Sequence, residues 1–564
     1  MWGGFWPLGH SPKHYVSDRM STSFTADVLI VGSGIAGALL AARLAAKGVN
    51  VIIMEAGASV DRAQAVQTFA KALVKVPESA YPPVPQAVHP LTHQPTGWYQ
   101  QSGPDLFKST YLKVVGGTTW HWLGTCLRLL PSDFALHTHF GRGVDWPISY
   151  VDLEPFYGQA EQEIGVAGDG SDDLGSPRST DYPMARIPPS YLDTVVGAGL
   201  KDSPYQVRST PQARNSEYRD QRMACCGSAS CIPVCPVQAK YDATVHLGKA
   251  VASGAVLLER STAVQLDLGS NGLVSSVHFR RWDNSQGVVR ARVVVLACNA
   301  IETPRLLLNS KSLAAPQGVA NSSDQVGRNL MDHPVQLSWA LSRVPVYPYR
   351  GPLSTSGIEN LRDGAFRKQY SAFRIEIGNE GWSWPTGAPG STAITLAQQG
   401  LQGQAMKTAT ADAASRHMRV ASLMEQEPDP DNRVTLDPQS HDMYGVAKPR
   451  IAYRLSQYVK DGMVQAKRAH TDIFTRLQAT ELQHADTYFG AGHIMGTTRM
   501  GANPGTSVVD ASLCSHDHRN LFLVGAGVFP TSGTANPTLT IAALSLRAVK
   551  AIEERLHSAP ALQP

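Results

Sequence analysis

Four of the seven cysteines in this 564-residue chain, Cys225, Cys226, Cys231 and Cys235, fall within eleven residues. An odd total with one tight group is not an evenly spaced disulfide framework; it points to one local metal or cluster site. Closely spaced thiolates on a loop can wrap an iron–sulfur cluster, and Pro236 follows the last of them, as a proline does in ferredoxins. Four thiolates would also suit zinc. However, adjacent Cys225 and Cys226 reach a single tetrahedral centre poorly, and no Cys-x2-Cys pair exists. Disulfide pairing or free thiols is the third reading. Cys126, Cys298 and Cys514 are scattered and read as small buried hydrophobes.

A second group of residues could hold a dinucleotide. Gly32-Ser-Gly34-Ile-Ala-Gly37 follows an apolar run, Asp27–Val31, and opens an Ala/Leu-rich stretch to Lys47. The first glycine permits a tight turn, the second lets backbone approach a pyrophosphate, and the third lets helix and strand pack closely. The pyrophosphate would sit on free N–H groups at the positive end of the helix. Glu55 ends a second apolar run, Val51–Met54, where a carboxylate can accept from ribose hydroxyls and repel a 2′-phosphate. This β-α-β unit fits FAD and NAD alike. A second glycine loop at Gly116-Gly117 and a distant C-terminal segment favour a tightly held flavin.

The elements that must position these residues are spread along the chain. Ser149 is an N-cap for a helix to Gly165, and further helices are expected over 240–252 and from Thr538 to His557. Strands are expected at 255–259, 274–280, 293–297 and 521–524. Thr303-Pro304 reads as an N-cap followed by a first-turn proline. Residues 58–110 and 167–220 read as irregular, and 336–490 carries few signals. The nucleotide fold starts at residue 27, is interrupted twice and resumes near the C-terminus, so its parts interleave with the rest.

Composition narrows the class. At 43% apolar, the length exceeds one simple core and fits two connected domains. A net charge of +4 without a Lys/Arg block gives nucleic-acid binding little support. No apolar run reaches the roughly 18 residues of a membrane helix, so no span is expected. Met1–Ser23 lacks a basic start and apolar core, so it is not a secretory signal, and Met20 is a second candidate start.

The chain resembles the glucose–methanol–choline (GMC) family of flavin oxidoreductases over nearly its whole length. The residues that carry the resemblance are the Gly32–Gly37 loop with Glu55, Gly116-Gly-Thr-Thr-Trp-His-Trp122 and Cys298-Asn-Ala-Ile-Glu-Thr-Pro304. Val326-Gly-Arg-Asn-Leu-Met-Asp-His-Pro334, His493-Ile-Met-Gly-Thr-Thr-Arg-Met-Gly501 and Ala535-Asn-Pro-Thr-Leu-Thr540 complete the set. The resemblance implies an α/β fold, a Rossmann-like FAD-binding domain interleaved with a substrate-binding domain on an antiparallel sheet. Residues 24–60, 108–130, 236–335 and 490–560 would form the first. Residues 61–107, 131–235 and 336–489, with the cysteine loop, would form the second.

The resemblance also implies site residues. Gly32, Gly34, Gly37, Glu55, Gly116, Gly117, Thr118, His121, Val264, Ala526, Asn536, Pro537 and Thr538 would contact FAD. His493 would take an alcohol proton as hydride leaves carbon for flavin N5, and Asn536 would hold the same oxygen. A neutral imidazole, with an ordinary pKa near ~6.5, suits that task. Taken alone, His493 equally fits a capping or surface histidine, and Asn536 a helix N-cap. His121 stands where some members bond the flavin covalently. Cys225, Cys231 and Cys235 match the spacing that holds a [3Fe–4S] cluster in sugar dehydrogenase subunits, leaving Cys226 spare. Asp332-His333 reads as structural, near a domain junction, and Trp382 and Trp384 as packing residues that could also stack on a sugar.

The implied function is oxidation of a sugar or polyol C–H(OH) group, with electrons leaving through the cluster to a cytochrome c or other external acceptor. The C-terminal third, with His493-x-x-Gly-Thr-x-Arg-Met-Gly501 and Asn520-Leu-Phe-Leu523, looks more like pyranose 2-oxidase and glycoside 3-dehydrogenases, which keeps an oxygen-using enzyme and C3 oxidation open. A non-catalytic electron-transfer flavoprotein and a zinc-stabilised binding module are the remaining alternatives. A small accessory subunit bearing an export signal would carry the chain to the periplasm; without one the chain would be cytoplasmic.

Overall fold

The computed structural model describes residues 22–71, 97–379 and 390–558. Met20, Trp382 and Trp384 lie outside the described residues. Two large sheets organise the rest. The first has five parallel strands in the spatial order Val256–Leu258, Val51–Met54, Ser23–Val31, Gln286–Leu296 and Leu521–Leu523. Its central strands read as unbroken apolar runs because helices and loops cover both faces. Val28 pairs with Val51 on one side and Val293 on the other, and Val294 pairs with Leu521. The start of Gln286–Leu296 continues into an antiparallel meander with Val274–Arg281 and Ser261–Leu268.

The helix Ile35–Ala45 buries every residue except Arg43, and packs on Thr244–Ala252 and Thr538–Ser558. Tyr150–Ile164 begins at the expected Ser149 cap, whose hydroxyl accepts from Asp152 N–H while the Asp152 carboxylate takes the Ser149 N–H.

The second sheet is antiparallel, in the order Thr480–His484, Val335–Leu341, His417–Met424, Phe373–Gly378, Ser356–Ile358 and Val207–Ser209. Side chains alternate across it. Phe373, Ile375 and Ile377 enter an apolar core with Met418, Val420 and Met424. The opposite face carries Val335, Leu337, Glu376, Arg419, Ala421 and Leu423, which line a cavity.

Three expectations are corrected. The helix expected to start at Thr303 runs Asn299–Asn309. Asn299 Oδ1 accepts from the N–H groups of Ile301 and Glu302, so it satisfies the first turn. Pro304 therefore lies inside the helix, and the Ala300 carbonyl that loses its N–H partner accepts from Thr497 Oγ1 at 2.7 Å. The stretch 167–220, expected to be irregular, contains a helix, Tyr191–Gly199, announced by a Ser190-x-x-Asp193 capping box. The helix Arg62–Lys71 lies within the supposedly irregular 58–110.

Candidate active site

A cavity of about 1270 Å³ runs between the two sheets. That exceeds the usual size of a drug-sized ligand site and leaves room for a dinucleotide and a small substrate. Of the expected cofactor contacts, Gly32, Gly34, Glu55, Gly117, Thr118, His121, Val264, Ala526, Asn536, Pro537 and Thr538 line it. Gly37 and Gly116 do not, and their roles are structural. A Cβ on Gly37 would stand 2.0 Å from the Gly32 carbonyl oxygen, which is the close helix–strand approach the spacing predicts. Gly116 takes a left-handed turn, φ 93°, and its N–H donates to Ser33 Oγ at 3.1 Å.

Ser33 was missed, although it sits inside the glycine motif. Its hydroxyl donates to Glu55 Oε2 at 2.6 Å while accepting from Gly116, so it joins the two glycine loops. Burial pushes the Glu55 carboxyl up, against hydrogen bonds from Ser33 and Gly57. Gly34 caps the helix Ile35–Ala45 with open space where its Cβ would be, and Ile35 and Ala36 border the cavity beside it. The first-turn N–H groups of a helix have no partner within the helix and can donate to an anion.

At the other end, His493 and Asn536 meet: Asn536 Nδ2 is 3.4 Å from His493 Nε2. The Asn536 side chain points to His493 and to Arg374, whose Nη1 donates to its Oδ1 at 3.5 Å. Burial lowers the His493 pKa well below its usual value, and the nearby His333 and Arg374 add to the effect. The imidazole is therefore neutral, as a base requires.

The supports of this pair were not legible. Asp332 and His333, read as structural, stand directly behind His493. The Asp332 carboxylate Oδ1 accepts from the His333 N–H at 2.8 Å and the His493 N–H at 3.0 Å. His333 Nδ1 is 2.8 Å from His493 Nδ1. Arg374 is fully buried and is held by Glu359 at 2.9 Å and Glu376 at 3.3 Å.

His121 lines the cavity, and burial with the nearby Lys240 holds it down to about 3. The cysteine loop forms an adjoining wall through Ser228, Ala229, Ser230, Ile232 and Pro233. Cys231 and Cys235 are buried, Cys225 is half-buried and Cys226 is exposed. Buried Arg214 donates from Nη2 to Cys231 Sγ at 3.2 Å. The N–H groups of Gly227 and Lys240 reach the sulfurs of Cys225 and Cys235, each at 3.5 Å. Among the described residues, no group of three or more His, Cys, Asp or Glu side chains is arranged to hold a metal ion. Of the other cysteines, Cys126 is buried as expected. Cys298 and Cys514 are half-buried, and Cys298 borders the cavity while its S–H donates to the Val31 carbonyl. Among the described residues, no helix is long and apolar enough to cross a membrane.

Comparison with known proteins agrees with this arrangement. Residues 27–80 match the FAD binding domain family, and residues 186–335 and 428–545 match two GMC oxidoreductase families. The chain is similar to the fructose dehydrogenase large subunit of Gluconobacter japonicus, 35% identical over 94% of this chain and 98% of that one. It is also similar to the 6'''-hydroxyparomomycin C oxidase of Streptomyces lividus, 29% identical over 94% and 92%. The crystal structure of pyridoxine 4-oxidase from Mesorbium loti shares the fold, with a TM-score of 0.64 at 18% identity, covering 93% of this chain and 98% of the other. The chain is an FAD-dependent enzyme acting on CH–OH donors and belongs to the GMC oxidoreductase family.

Proposed function

We propose that this enzyme is a dehydrogenase that oxidises a C–H(OH) group of a sugar or polyol, with His493 as its base. The observation that carries the reading is the pair formed by half-buried His493 and buried Asn536 on the wall of the cavity into which Gly34 and Glu55 also open. The cavity suits FAD on three counts. Gly34 and Gly525 present backbone to open space, a helix N-terminus supplies N–H donors, and the Glu55 carboxylate lines the cavity just after the strand Val51–Met54. Gly32, Gly34 and the helix end would hold the pyrophosphate and Glu55 the ribose. Gly117, Thr118, His121, Ala526, Pro537 and Thr538 would border the ring system.

Bound FAD supplies the hydride acceptor. His493 takes the substrate hydroxyl proton at Nε2, and Asn536 Nδ2 donates to the same oxygen. Arg374, anchored by two glutamates, fixes Asn536 through its Oδ1. In this reading the parallel sheet and its meander form the cofactor half, and the antiparallel sheet forms the substrate half.

Cys225, Cys231 and Cys235 would hold a [3Fe–4S] cluster, which supplies one-electron transfer to an external acceptor such as a cytochrome. The buried Arg214 guanidinium and two N–H groups on the sulfurs suit thiolates, and a cluster sets its ligands wider apart than one ion does. Lys240 ties this loop to the cavity: its Nζ donates to the Trp120 and Trp122 carbonyls, each at 2.7 Å, on either side of His121. The name of the Gluconobacter relative, a fructose enzyme and a large subunit, supports a sugar substrate and an accessory subunit; export of the chain to the periplasm on such a subunit is part of the proposal. The oxidase name of the Streptomyces relative supports the second reading, direct reaction with oxygen.

A substrate panel with an artificial electron acceptor, run beside iron and sulfide analysis, separates these readings. Turnover that needs the acceptor, iron in the chain and no hydrogen peroxide in air is the expected result. Peroxide without acceptor establishes the oxidase, zinc without iron removes the relay, and no turnover on any alcohol leaves an electron-transfer flavoprotein. Acid denaturation reads the link at His121: yellow colour retained by the chain means a covalent flavin.

A further inference from the structure

The buried ring of His333 meets two partners of different character. Its Nε2 lies 3.0 Å from the Gly533 carbonyl oxygen and its Nδ1 lies 2.8 Å from His493 Nδ1. A carbonyl oxygen only accepts, so His333 Nε2 carries a hydrogen. Burial, with Arg374 and Arg362 nearby, holds His333 down to about 4. At neutral pH its Nδ1 therefore bears a lone pair. Two ring nitrogens 2.8 Å apart need one hydrogen between them, and it belongs to His493 Nδ1. A neutral His493 then keeps its lone pair on Nε2, the atom that faces Asn536 Nδ2.

We propose that His333 is a positioning residue that locks His493 in the Nδ1–H tautomer, so that the bare Nε2 faces the substrate. This rests on the reading of His493 as the base. Asp332 sets the geometry by accepting from both backbone N–H groups, and the two rings stand 87° apart with centroids at 4.9 Å. When Nε2 takes the hydroxyl proton, the substrate O–H bond breaks and an Nε2–H bond forms. The imidazolium goes on donating Nδ1–H to the His333 lone pair. The proton stops there, because His333 Nε2–H faces a carbonyl that cannot take it. The groups that face His493 are His333, Arg374 and Asn536, and both arginines near His333 disfavour a second positive charge.

The test is the 15N spectrum of histidine ring nitrogens in labelled enzyme carrying FAD, with His493 assigned by its loss in His493→Ala. A protonated Nδ1 and a bare Nε2 are expected at His493. His333→Asn keeps an acceptor where Nδ1 stands, and it should preserve that pattern with kcat within a few-fold. His333→Gln keeps a donor for Gly533 but loses that acceptor. It should shift the proton to Nε2, lower kcat at least tenfold with KM little changed, and move the acid limb of the pH profile. A histidine held in the wrong tautomer costs a serine protease roughly 10⁴ in kcat. A protonated Nε2 in the unmodified enzyme overturns the proposal, as do equal effects of the two variants. Should both variants misfold, the wild-type spectrum alone decides. Full turnover by His493→Ala would instead remove the base reading and leave the tautomer to the spectrum.

Discussion

The two walls of the cavity are built by opposite means. On the side of the parallel sheet, backbone does the work: glycines at 34 and 525 bring main chain up to open space, Gly32 turns the chain tightly against the Ala297 carbonyl, and a helix end supplies the donors. On the side of the antiparallel sheet, buried charge does it: Arg374 is closed in by Glu359 and Glu376, while Arg362 and Arg419 extend the network. A wall of backbone can bind any ligand of the right shape and charge. A wall of interlocked charges fixes side-chain positions to a fraction of an ångström, which is what a proton transfer needs.

Removing one charge should therefore hurt more than filling one glycine. Arg374→Ala leaves two buried carboxylates short of a partner and should cost about 3–5 kcal/mol of stability, read by denaturant unfolding. A loss of under about 1 kcal/mol would mean that the network is not a structural keystone. Gly37→Ala drives a Cβ onto the Gly32 carbonyl and should cost about 1–3 kcal/mol. Gly34→Ala meets nothing within 4 Å, so it should leave unfolding unchanged and lower only the FAD that remains bound, measured by visible absorbance. Equal loss of stability in both glycine variants would erase the distinction between a packing glycine and a ligand-facing one.

The same contrast decides what could be read from the sequence. The nucleotide wall is local: three glycines, two apolar runs and an acid fall within 29 residues, Asp27 to Glu55, so spacing alone exposes them. The catalytic wall is not local. Arg374 pairs with Glu359 at a separation of 15 residues and with Asn536 at 162, and His333 meets His493 at 160. In Phe373–Gly378 the alternation was there to see, yet its arginine and glutamate look like a solvated face. They are buried because they pair with each other, with Glu359 just past the strand Ser356–Ile358 and with Arg419 on the strand His417–Met424. The motif around Asp332 and His333 was recognised, but nothing in one dimension says that its carboxylate holds two histidine backbones. Pro304 misled for a simpler reason: its missing N–H is compensated by Thr497, nearly two hundred residues away.

The central claim is that His493 is the base acting across the flavin cavity, and single-turnover reduction tests it most directly. Holoenzyme mixed without oxygen with a sugar it oxidises should lose its visible flavin band in one rapid phase. The rate should stay level across neutral pH and fall only below the ordinary histidine range, because burial lowers the His493 pKa. His493→Ala, with FAD still bound, should bleach about 10²–10⁴-fold more slowly. Bleaching of that variant at the wild-type rate would contradict the account.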